Sequence, residues 1–504
     1  MQQEIELKFQ IPPERRAALR AALQRGRLTT VRLRAHYFDT ADGLLAGNSI
    51  ALRLRHEGAR WVQTLKASGG GANHVLRLEH NAEIAAAADS MPALDLQRHA
   101  GSAAHERLCE LLGDRPLQEV YRTEVQRHLR LLKSSDGALV EVALDEGLVL
   151  AGMATHRLCE IEFELKSGPI GGLFSVAADW AARHGLWLDT VTKSERGHLL
   201  ARGLVHSPAT KARPPVLGAD PGPRQFARAC VAACLGQVLP NASAIAAGSE
   251  QDAHVHQLRV GLRRLRVVLG EMAEFDCGLD PAWTPPLEAL FRALGAERDR
   301  NQLNKSIRKT LLAAGAPSPL AEAPAGEPAG SLPGLVRGTE IQQVLLAVLT
   351  FASEASPASG PAFEGDPVEA LGSRLDQLQR GLRRTARRYT ELPVEEQHRA
   401  RKRLKRLRYL AEFLAPLFGP RRVAACFEGL RLAQDVLGER NDETLALEHF
   451  QRCIANQADG AAGSWFAIGW LKSRHEASAL SAASALKAAG QAKGFWRGKP
   501  KPRP

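Results

Sequence analysis

Paired cysteines are missing from this chain. Its seven cysteines, an odd number, include no C-x-x-C pair and no zinc spacing. That excludes a disulfide framework and a structural zinc site, and it fits a reducing compartment. Cys230 and Cys234, the nearest pair, lie four apart in an alanine-rich stretch and read as small core residues of a helix. No basic-then-apolar leader opens the sequence, and no run of about 18 apolar residues interrupts it. Neither a signal peptide nor a membrane span is therefore expected, and the expected location is the cytoplasm. Aromatic content is modest, at 5%.

Positive charge, by contrast, is in excess. Sixty-seven Lys and Arg against 55 Asp and Glu give a formal net charge of +12, which suits a polyanionic partner such as nucleic acid, anionic lipid or polyphosphate. A hydrophobic content of 44% with 24% charge is that of a globular protein. At 504 residues the chain exceeds one ordinary core, so two or more domains are expected.

The two halves differ in periodicity. Period-2 alternation marks strands at 4–9, 30–39, 49–55, 61–66, 74–79, 120–129, 139–145 and 158–166, with helical patterns near 12–25, 102–112 and 170–185. So many strands suggest a sheet closed on itself, since closure removes exposed edges. A Pro- and Gly-dense stretch at 204–224 reads as a linker, and the sequence beyond it is helical. The Ala/Pro/Gly stretches at 313–334 and 354–367 read as loops, and the basic end as a tail. Two marks recur in the helical half. H-Q-L-R-V-G-L-R-R-L-R begins at His256 and H-R-A-R-K-R-L-K-R-L-R at His398, an offset of 142; L-G-A-E-R-D begins at Leu294 and L-G-E-R-N-D at Leu437, an offset of 143. Two marks in register indicate a duplicated helical unit.

In the strand-rich half the charges sort by strand. Glu4/Glu6, Glu141/Asp145 and Glu160/Glu162/Glu164 form acidic ridges; Arg53/Arg55, with Lys66 and Arg77 on neighbouring strands, form basic ones. Residues i and i+2 share a face, about 6.6 Å apart. Ile5, Leu7 and Phe9 oppose Glu4, Glu6 and Lys8, and Leu52 and Leu54 oppose Arg53 and Arg55. This fits a barrel with a charged lumen and an apolar exterior under helices, and eight strands leave room for one small ligand. The cations suit a polyphosphate. Carboxylates cannot bind that anion directly, and a hard divalent cation, Mg²⁺ or Mn²⁺, reconciles the two by bridging them.

These residues resemble the CYTH superfamily, the triphosphate tunnel metalloenzymes. E-I-E-L-K (4–8) looks like its ExExK signature, and the resemblance runs on through R-L-R (53–55), Lys66, R-L-E (77–79), Arg122, Asp145, E-I-E-F-E-L-K (160–166) and T-K-S-E-R-G (192–197). It implies an α+β domain over 1–203: an eight-stranded antiparallel tunnel with flanking helices, binding a triphosphate with two divalent ions. By position it assigns Glu4, Glu6, Glu160 and Glu162 to the metal, and Asp145 and Glu164 to completing the shell or positioning water. Lys8 would touch phosphate or orient that water. Arg53, Arg55, Lys66, Arg77, Arg122, Lys193 and Arg196 would hold phosphate oxygens. Glu79 and Glu83 read as partners for lumen arginines.

In the helical half His256, Arg259, Arg263 and Arg266 fall on one helix face, opposite Leu258, Leu262, Leu265 and Leu269. His398, Arg401, Lys405 and Arg408 repeat the pattern, and no acidic residue occurs within 254–266 or 398–408. Packed like charges call for an anion. Aromatic interleaving is nearly absent, Tyr409 excepted, which disfavours nucleic acid. The two basic helices, with A-Q-D-V-L-G-E-R-N-D (433–442) and F-A-I-G-W-L (466–471), resemble the CHAD domain. That resemblance implies an all-α domain over 223–500 after a 204–222 linker, with repeats at about 223–350 and 365–500. Its basic faces would line a cavity for inorganic polyphosphate. The Asp residues of the second mark read as helix-packing groups or partners of the arginine face.

The expectation is a metal-dependent inorganic triphosphatase that splits tripolyphosphate into pyrophosphate and phosphate, with polyphosphate on the helical domain. Thiamine triphosphate, a nucleoside triphosphate, an RNA 5′-triphosphate and ATP cyclisation remain alternatives for the same tunnel, and a non-enzymatic polyphosphate-binding module is a further one.

Overall fold

A computed structural model describes residues 2–68, 76–85, 90–218, 221–275, 277–302, 307–318, 320, 331–353, 365–456 and 461–498. The strands are β1 (Gln2–Gln10), β2 (Thr29–Asp39), β3 (Ile50–Glu57), β4 (Arg60–Ser68), β5 (Leu76–Ile84), β6 (Gln118–Lys133), β7 (Leu139–Ala151), β8 (Ala154–Ser167) and the short β9 (Trp187–Leu188). Among them lie helices α1 (Arg16–Leu23), α2 (Leu44–Gly47), α3 (Ala103–Leu112), α4 (Ile170–His184) and α5 (Lys193–Ala201).

The antiparallel sheet runs β5-β4-β3-β2-β6-β7-β8-β1-β9, and β5 pairs again with β1. Along β1 the first residues, Gln2 to Ile5, face Glu79 to Leu76 of β5, while Glu6 to Gln10 face Glu164 to Glu160 of β8. Eight strands thus come round to their start. The outward side is apolar, as the alternation predicts. Leu52 and Leu65 pack with Leu45 of α2 and Leu108 of α3. Phe163 of β8 meets Phe9 edge-on at 5.6 Å and Trp180 of α4 at 6.0 Å. Burying each such side chain contributes roughly 1.5–3 kcal/mol, which seats α4 on the outer wall.

Among the described residues ten further helices follow: α6 (Pro223–Ala246), α7 (Asp252–Glu271), α8 (Thr284–Gln302), α9 (Arg308–Ala313), α10 (Leu332–Arg337), α11 (Thr339–Ser353), α12 (Pro367–Ala386), α13 (Val394–Leu414), α14 (Pro420–Ala455) and α15 (Ala461–Gln491). The two copies of the basic motif lie on α7 and α13, and the second mark on α8 and α14, as the repeat predicts. Among the described residues one helix, α6, is long and apolar enough to cross a membrane by length and composition, and 78% of its apolar window is buried, as in a core helix. Arg228, Gln237 and Asn241 break its apolar run, so an unbroken-run criterion does not register it.

The compact units do not follow the chain order. One comprises Met1–Arg213, Ala232–Gly261 and Ser331–Ser356; the other Pro214–Val231, Leu262–Gly330 and Pro357–Pro504. Parts of the first helical repeat therefore belong with the sheet. The physical reason is local to that unit: Leu188 N–H donates to Gln342 Oε1 at 2.8 Å, and Arg337 donates to the Ala246 carbonyl. The 204–224 stretch carries no regular structure at 206–218, but it is tied down. Thr210 exchanges two hydrogen bonds with Asn241, and the Ser207 carbonyl lies 2.9 Å from His254 Nε2. The 313–334 and 354–367 stretches and the basic tail lie mostly outside the described residues.

Candidate active site

Side chains two strands apart cannot touch across a flat sheet, where they would stand about 9.6 Å apart. Here they do. Lys66 of β4 lies 2.7 Å from Glu4 of β1, across β5, and Arg53 of β3 lies 3.8 Å from Glu79 of β5, across β4. Arg127 of β6 reaches Glu162 of β8 across β7. These contacts define the concave, charged interior of the sheet.

One end of the constellation is acidic. Asp145 and Glu160 are fully buried and face each other across the β7–β8 ladder, and Glu162 lies two residues further along β8. One oxygen from each of the three lies within 4.8 Å of the others. Lys193 Nζ occupies their common focus, 2.7 Å from Asp145 Oδ2, 2.7 Å from Glu160 Oε1 and 2.6 Å from Glu162 Oε1. Burial alone would lower the Lys193 ammonium, yet the three carboxylates hold it well above the ordinary lysine range. Burial would likewise raise Asp145 and Glu162, but Arg127 and Lys193 keep both below the usual carboxylate range. Glu160 Oε1 is buried and receives no properly directed hydrogen bond.

The predicted metal ligands divide between two places. Glu160 and Glu162 join Asp145, which the family resemblance gave to completing the shell or positioning water. Glu4 instead meets Glu79 around Lys66, whose Nζ is 2.7 Å from an oxygen of each. Burial pushes the Glu4 carboxyl up to about 8 against the pull of Lys66, with the hydrogen bond it donates to Glu79 and the Glu6 charge adding to the rise. Burial would raise Glu79 too, but Lys66, Glu4 and Arg53 hold it low. Glu6 follows on the same face, opposite Glu164 in the ladder. Glu164 pairs with Lys166 at 2.8 Å, which also reaches Glu141 at 3.3 Å.

Among the predicted phosphate ligands, Arg53 stands 3.4 Å from the Tyr37 hydroxyl. Burial, then Arg53 and Arg127, pull Arg55 down to about 10 even though Glu57 is its ion-pair partner. Burial would lower Arg53 as well, but Tyr37, Glu79 and Glu4 hold it above the ordinary arginine range, so of the two only Arg55 is depressed. Lys8 Nζ lies 3.4 Å from Glu160 and 3.5 Å from Asp189, and Arg196 pairs with Asp189. The Arg77 side chain lies outside the described residues; its backbone faces Glu4. Glu83 pairs with Arg60, and both are largely exposed, so it serves no lumen arginine.

Arg122 is not in the interior. Its side chain is 48% exposed and 3.8 Å from Glu124. On β6 the exposed side carries Arg122, Glu124 and Gln126, while Tyr121, Thr123 and Val125 are buried on the other, and Arg127 follows on that inner face. Arg127, which the sequence reading passed over, donates to Asp145 Oδ1 at 2.7 Å and to Oδ2 at 2.6 Å. The signal was present: Arg127 is the first cation to interrupt the apolar side of that strand. Asp189, also missed, ends the apolar run Leu186-Trp187-Leu188.

Helix α5 delivers Lys193 and Arg196. Thr192 caps it by accepting the Glu195 N–H at 3.0 Å. Ser194 Oγ lies 2.8 Å from the Tyr121 hydroxyl, and Gly197 abuts the Tyr121 ring so closely that a Cβ there would sit 2.0 Å from a ring carbon. Glycine at 197 is what lets the helix lie against β6.

In the helical units the predicted Leu258, Leu262, Leu265, Leu404 and Leu407 are buried. The basic faces are not as acid-free as the local sequence suggests, because another helix and the next turn of α13 itself supply carboxylates. Arg266 pairs with Glu288 at 2.8 Å, and both Arg263 and Arg266 lie over the Phe291 ring. Arg408 pairs with Glu412 at 2.7 Å and stacks on Tyr409. Arg259 and Lys405 are mostly buried, and His256 and Arg401 are likewise engaged with partners. His398 Nδ1 lies 3.2 Å from Asn441 of the second mark, so the two repeated motifs touch. Arg440 in that mark is a packing group, donating to Gln397 at 2.9 Å and to the His475 carbonyl at 2.9 Å. Asn441 donates to Asp442, while Asp299 of the first copy lies outside the residues whose side chains are described.

Comparison with known proteins finds two family models that match the sequence. A CYTH domain model matches residues 2–198 and a CHAD domain model residues 229–451. An inorganic triphosphatase of Haemophilus influenzae is 29% identical over 207 residues, 40% of this chain and 55% of that protein. The match thus spans about half of that relative. An uncharacterized Mycobacterium tuberculosis protein is 27% identical over 479 residues, covering 86% of this chain and 84% of its own. The crystal structure of the CHAD domain from the plant Ricinus communis aligns with a TM-score of 0.47 at 23% identity, covering 59% of this chain and 99% of its own.

Proposed function

We propose that this chain, which carries a CYTH domain followed by a CHAD domain, hydrolyses a linear triphosphate within its charged sheet, with a divalent cation. The observation that carries the reading is the convergence of Asp145, Glu160 and Glu162 oxygens beside buried cations on the same concave surface. The donor set fits a hard divalent ion, since it is all carboxylate oxygen and one buried oxygen lacks a directed hydrogen bond. Asp145, Glu160 and Glu162 would hold that ion, and the Glu4–Glu79 pair with Glu6 offers oxygens for a second. Such an ion, Mg²⁺ or Mn²⁺, would supply Lewis-acid polarisation of the phosphoryl group.

The remaining work falls to the chain's own groups. Arg53 and Arg55 bind the triphosphate oxygens, each through its planar fork. Lys193 exchanges its carboxylate neighbours for phosphate oxygens, and with Arg127 it stabilises the charge that grows on the leaving phosphate. Lys8 and Arg196, fixed by Asp189, orient the chain of phosphates so that a terminal phosphorus faces water. The buried, mutually paired charges need no reorganisation when the substrate's charge shifts, which is what makes them effective.

For the helical part we propose binding of inorganic polyphosphate through Arg259, Arg263, Arg266, Arg401, Lys405 and Arg408, with His256 and His398 alongside. The supporting feature is the twice-repeated basic pattern, in which one cation of each copy, Arg259 and Lys405, is nonetheless buried.

The deciding experiment measures phosphate release from tripolyphosphate, thiamine triphosphate, ATP and long polyphosphate, with Mg²⁺, with Mn²⁺ and with a chelator. Metal-dependent release, fastest on tripolyphosphate, is expected. No turnover of any of the four with either metal would sink the enzymatic reading and leave a polyphosphate-binding protein.

A further inference from the structure

Asp189 follows β9, and its buried carboxylate is engaged at both oxygens. Oδ2 accepts from Gln10 Nε2 at 2.7 Å, pairs with Arg196 and lies 3.5 Å from Lys8 Nζ. Oδ1 accepts the Val191 N–H at 2.9 Å and the hydroxyl of Ser243 at 2.9 Å. Ser243 lies on α6, within the stretch matched by the CHAD model, yet it belongs to the same compact unit as the sheet. It is buried, and its Oγ also accepts the Thr190 N–H at 3.3 Å. Beside it Gln342 of α11 accepts the Leu188 N–H at 2.8 Å and donates to the Val336 carbonyl at 2.8 Å. Two helices from beyond the 204–222 stretch therefore hold the backbone and side chains of 188–190.

The consequence lies in what Asp189 does to its cations. Lys8 and Arg196 each stand between Asp189 and Glu160, at 3.4 Å and 3.8 Å from the latter. A carboxylate free to rotate would follow these cations and neutralise them. One whose second oxygen is fixed by a hydroxyl and an amide stays in place and holds both cations beside Glu160, leaving their remaining donors for an anion. We propose that Ser243 is a positioning residue for the anion site: its hydroxyl fixes Asp189, and Asp189 fixes Lys8 and Arg196. A residue of the helical segment is thus part of the tunnel's binding geometry. This rests on the triphosphatase reading above.

The test uses the full chain. Ser243→Ala and Ser243→Thr are compared with wild type in steady-state phosphate release from tripolyphosphate with Mg²⁺, in melting temperature, and in tripolyphosphate affinity by calorimetry without metal. The expected result is a KM raised about tenfold in Ser243→Ala, the weight of one charge-assisted hydrogen bond. Its kcat should stay within about twofold, the melting temperature should fall only slightly, and Ser243→Thr should restore KM because it keeps the hydroxyl. Should Ser243→Ala not fold, Ser243→Cys, with a similar volume and a far weaker donor, takes its place. A KM and affinity equal to wild type overturn the proposal, as does Ser243→Thr matching Ser243→Ala. A wild type that binds tripolyphosphate without cleaving it overturns the triphosphatase reading alone, and the calorimetric comparison then decides the role of Ser243.

Discussion

Arg127 donates two hydrogen bonds to Asp145, at 2.7 Å and 2.6 Å, from a strand whose other candidate arginine, Arg122, points the opposite way. The pair spans the β6–β7 ladder, where the two residues are direct partners. It separates residues that share a strand from residues that share a site.

Arg127→Ala leaves Asp145 buried without its guanidinium partner, and removing one member of a buried pair costs about 3–5 kcal/mol. A marked drop in melting temperature and a fall in kcat/KM of roughly 100-fold or more are expected. Arg122→Ala, altering an exposed side chain, should stay within about 0.5 kcal/mol and keep near-wild-type turnover. Equal effects in the two variants would show the alternation on β6 to be misassigned.

Glu160→Gln removes one of three converging carboxylates while keeping its shape. Phosphate release should fall by roughly 100-fold or more, and Mn²⁺ affinity by titration calorimetry should weaken in step. Unchanged Mn²⁺ binding would move the ion elsewhere, the Glu4–Glu79 pair being the next place to examine.

The Glu4 carboxyl, raised to about 8 by burial, keeps its proton well above the 4.5 of a free glutamate. Between those values the folded protein binds a proton that the unfolded chain has lost. Its contribution to stability is therefore full below the unfolded value and is lost as pH rises through the folded one. Melting temperature without metal should decline from about pH 5 to about pH 8.5, and Glu4→Gln should flatten that decline. A Glu4→Gln protein with the wild-type slope would place the proton on another group.

Gly197→Ala would set a methyl carbon 2.0 Å from the Tyr121 ring. Helix α5 must shift, at a cost of about 1–3 kcal/mol, and it takes Lys193 and Arg196 with it. Both melting temperature and kcat should fall. The double variant with Tyr121→Ala should recover part of each; no recovery would separate the helix position from the Tyr121 contact.

Much of this protein is legible in one dimension. Period-2 alternation located the eight long strands, and the 142- and 143-residue offsets located the duplicated helices. Those are local properties of backbone geometry: a residue's face follows from counting along its own strand or helix. The presence of both carboxylates and cations on inward faces followed from the same counting.

What counting could not supply was which faces meet. Asp145 joins Glu160 and Glu162 because β7 and β8 are paired at that register, while Glu4 turns to Lys66 and Glu79 because ring closure sets β1 beside β5. The basic helical faces read as acid-free until Glu288 and Glu412 come into place, one from another helix and one a turn beyond the basic segment. Ser243 and Asp189, 54 residues apart, share no pattern at all. Sequence determined the elements and the sign of their faces, because those depend on neighbours along the chain. Tertiary structure decided the partners, because a charge buried away from water must find its opposite wherever the fold brings one.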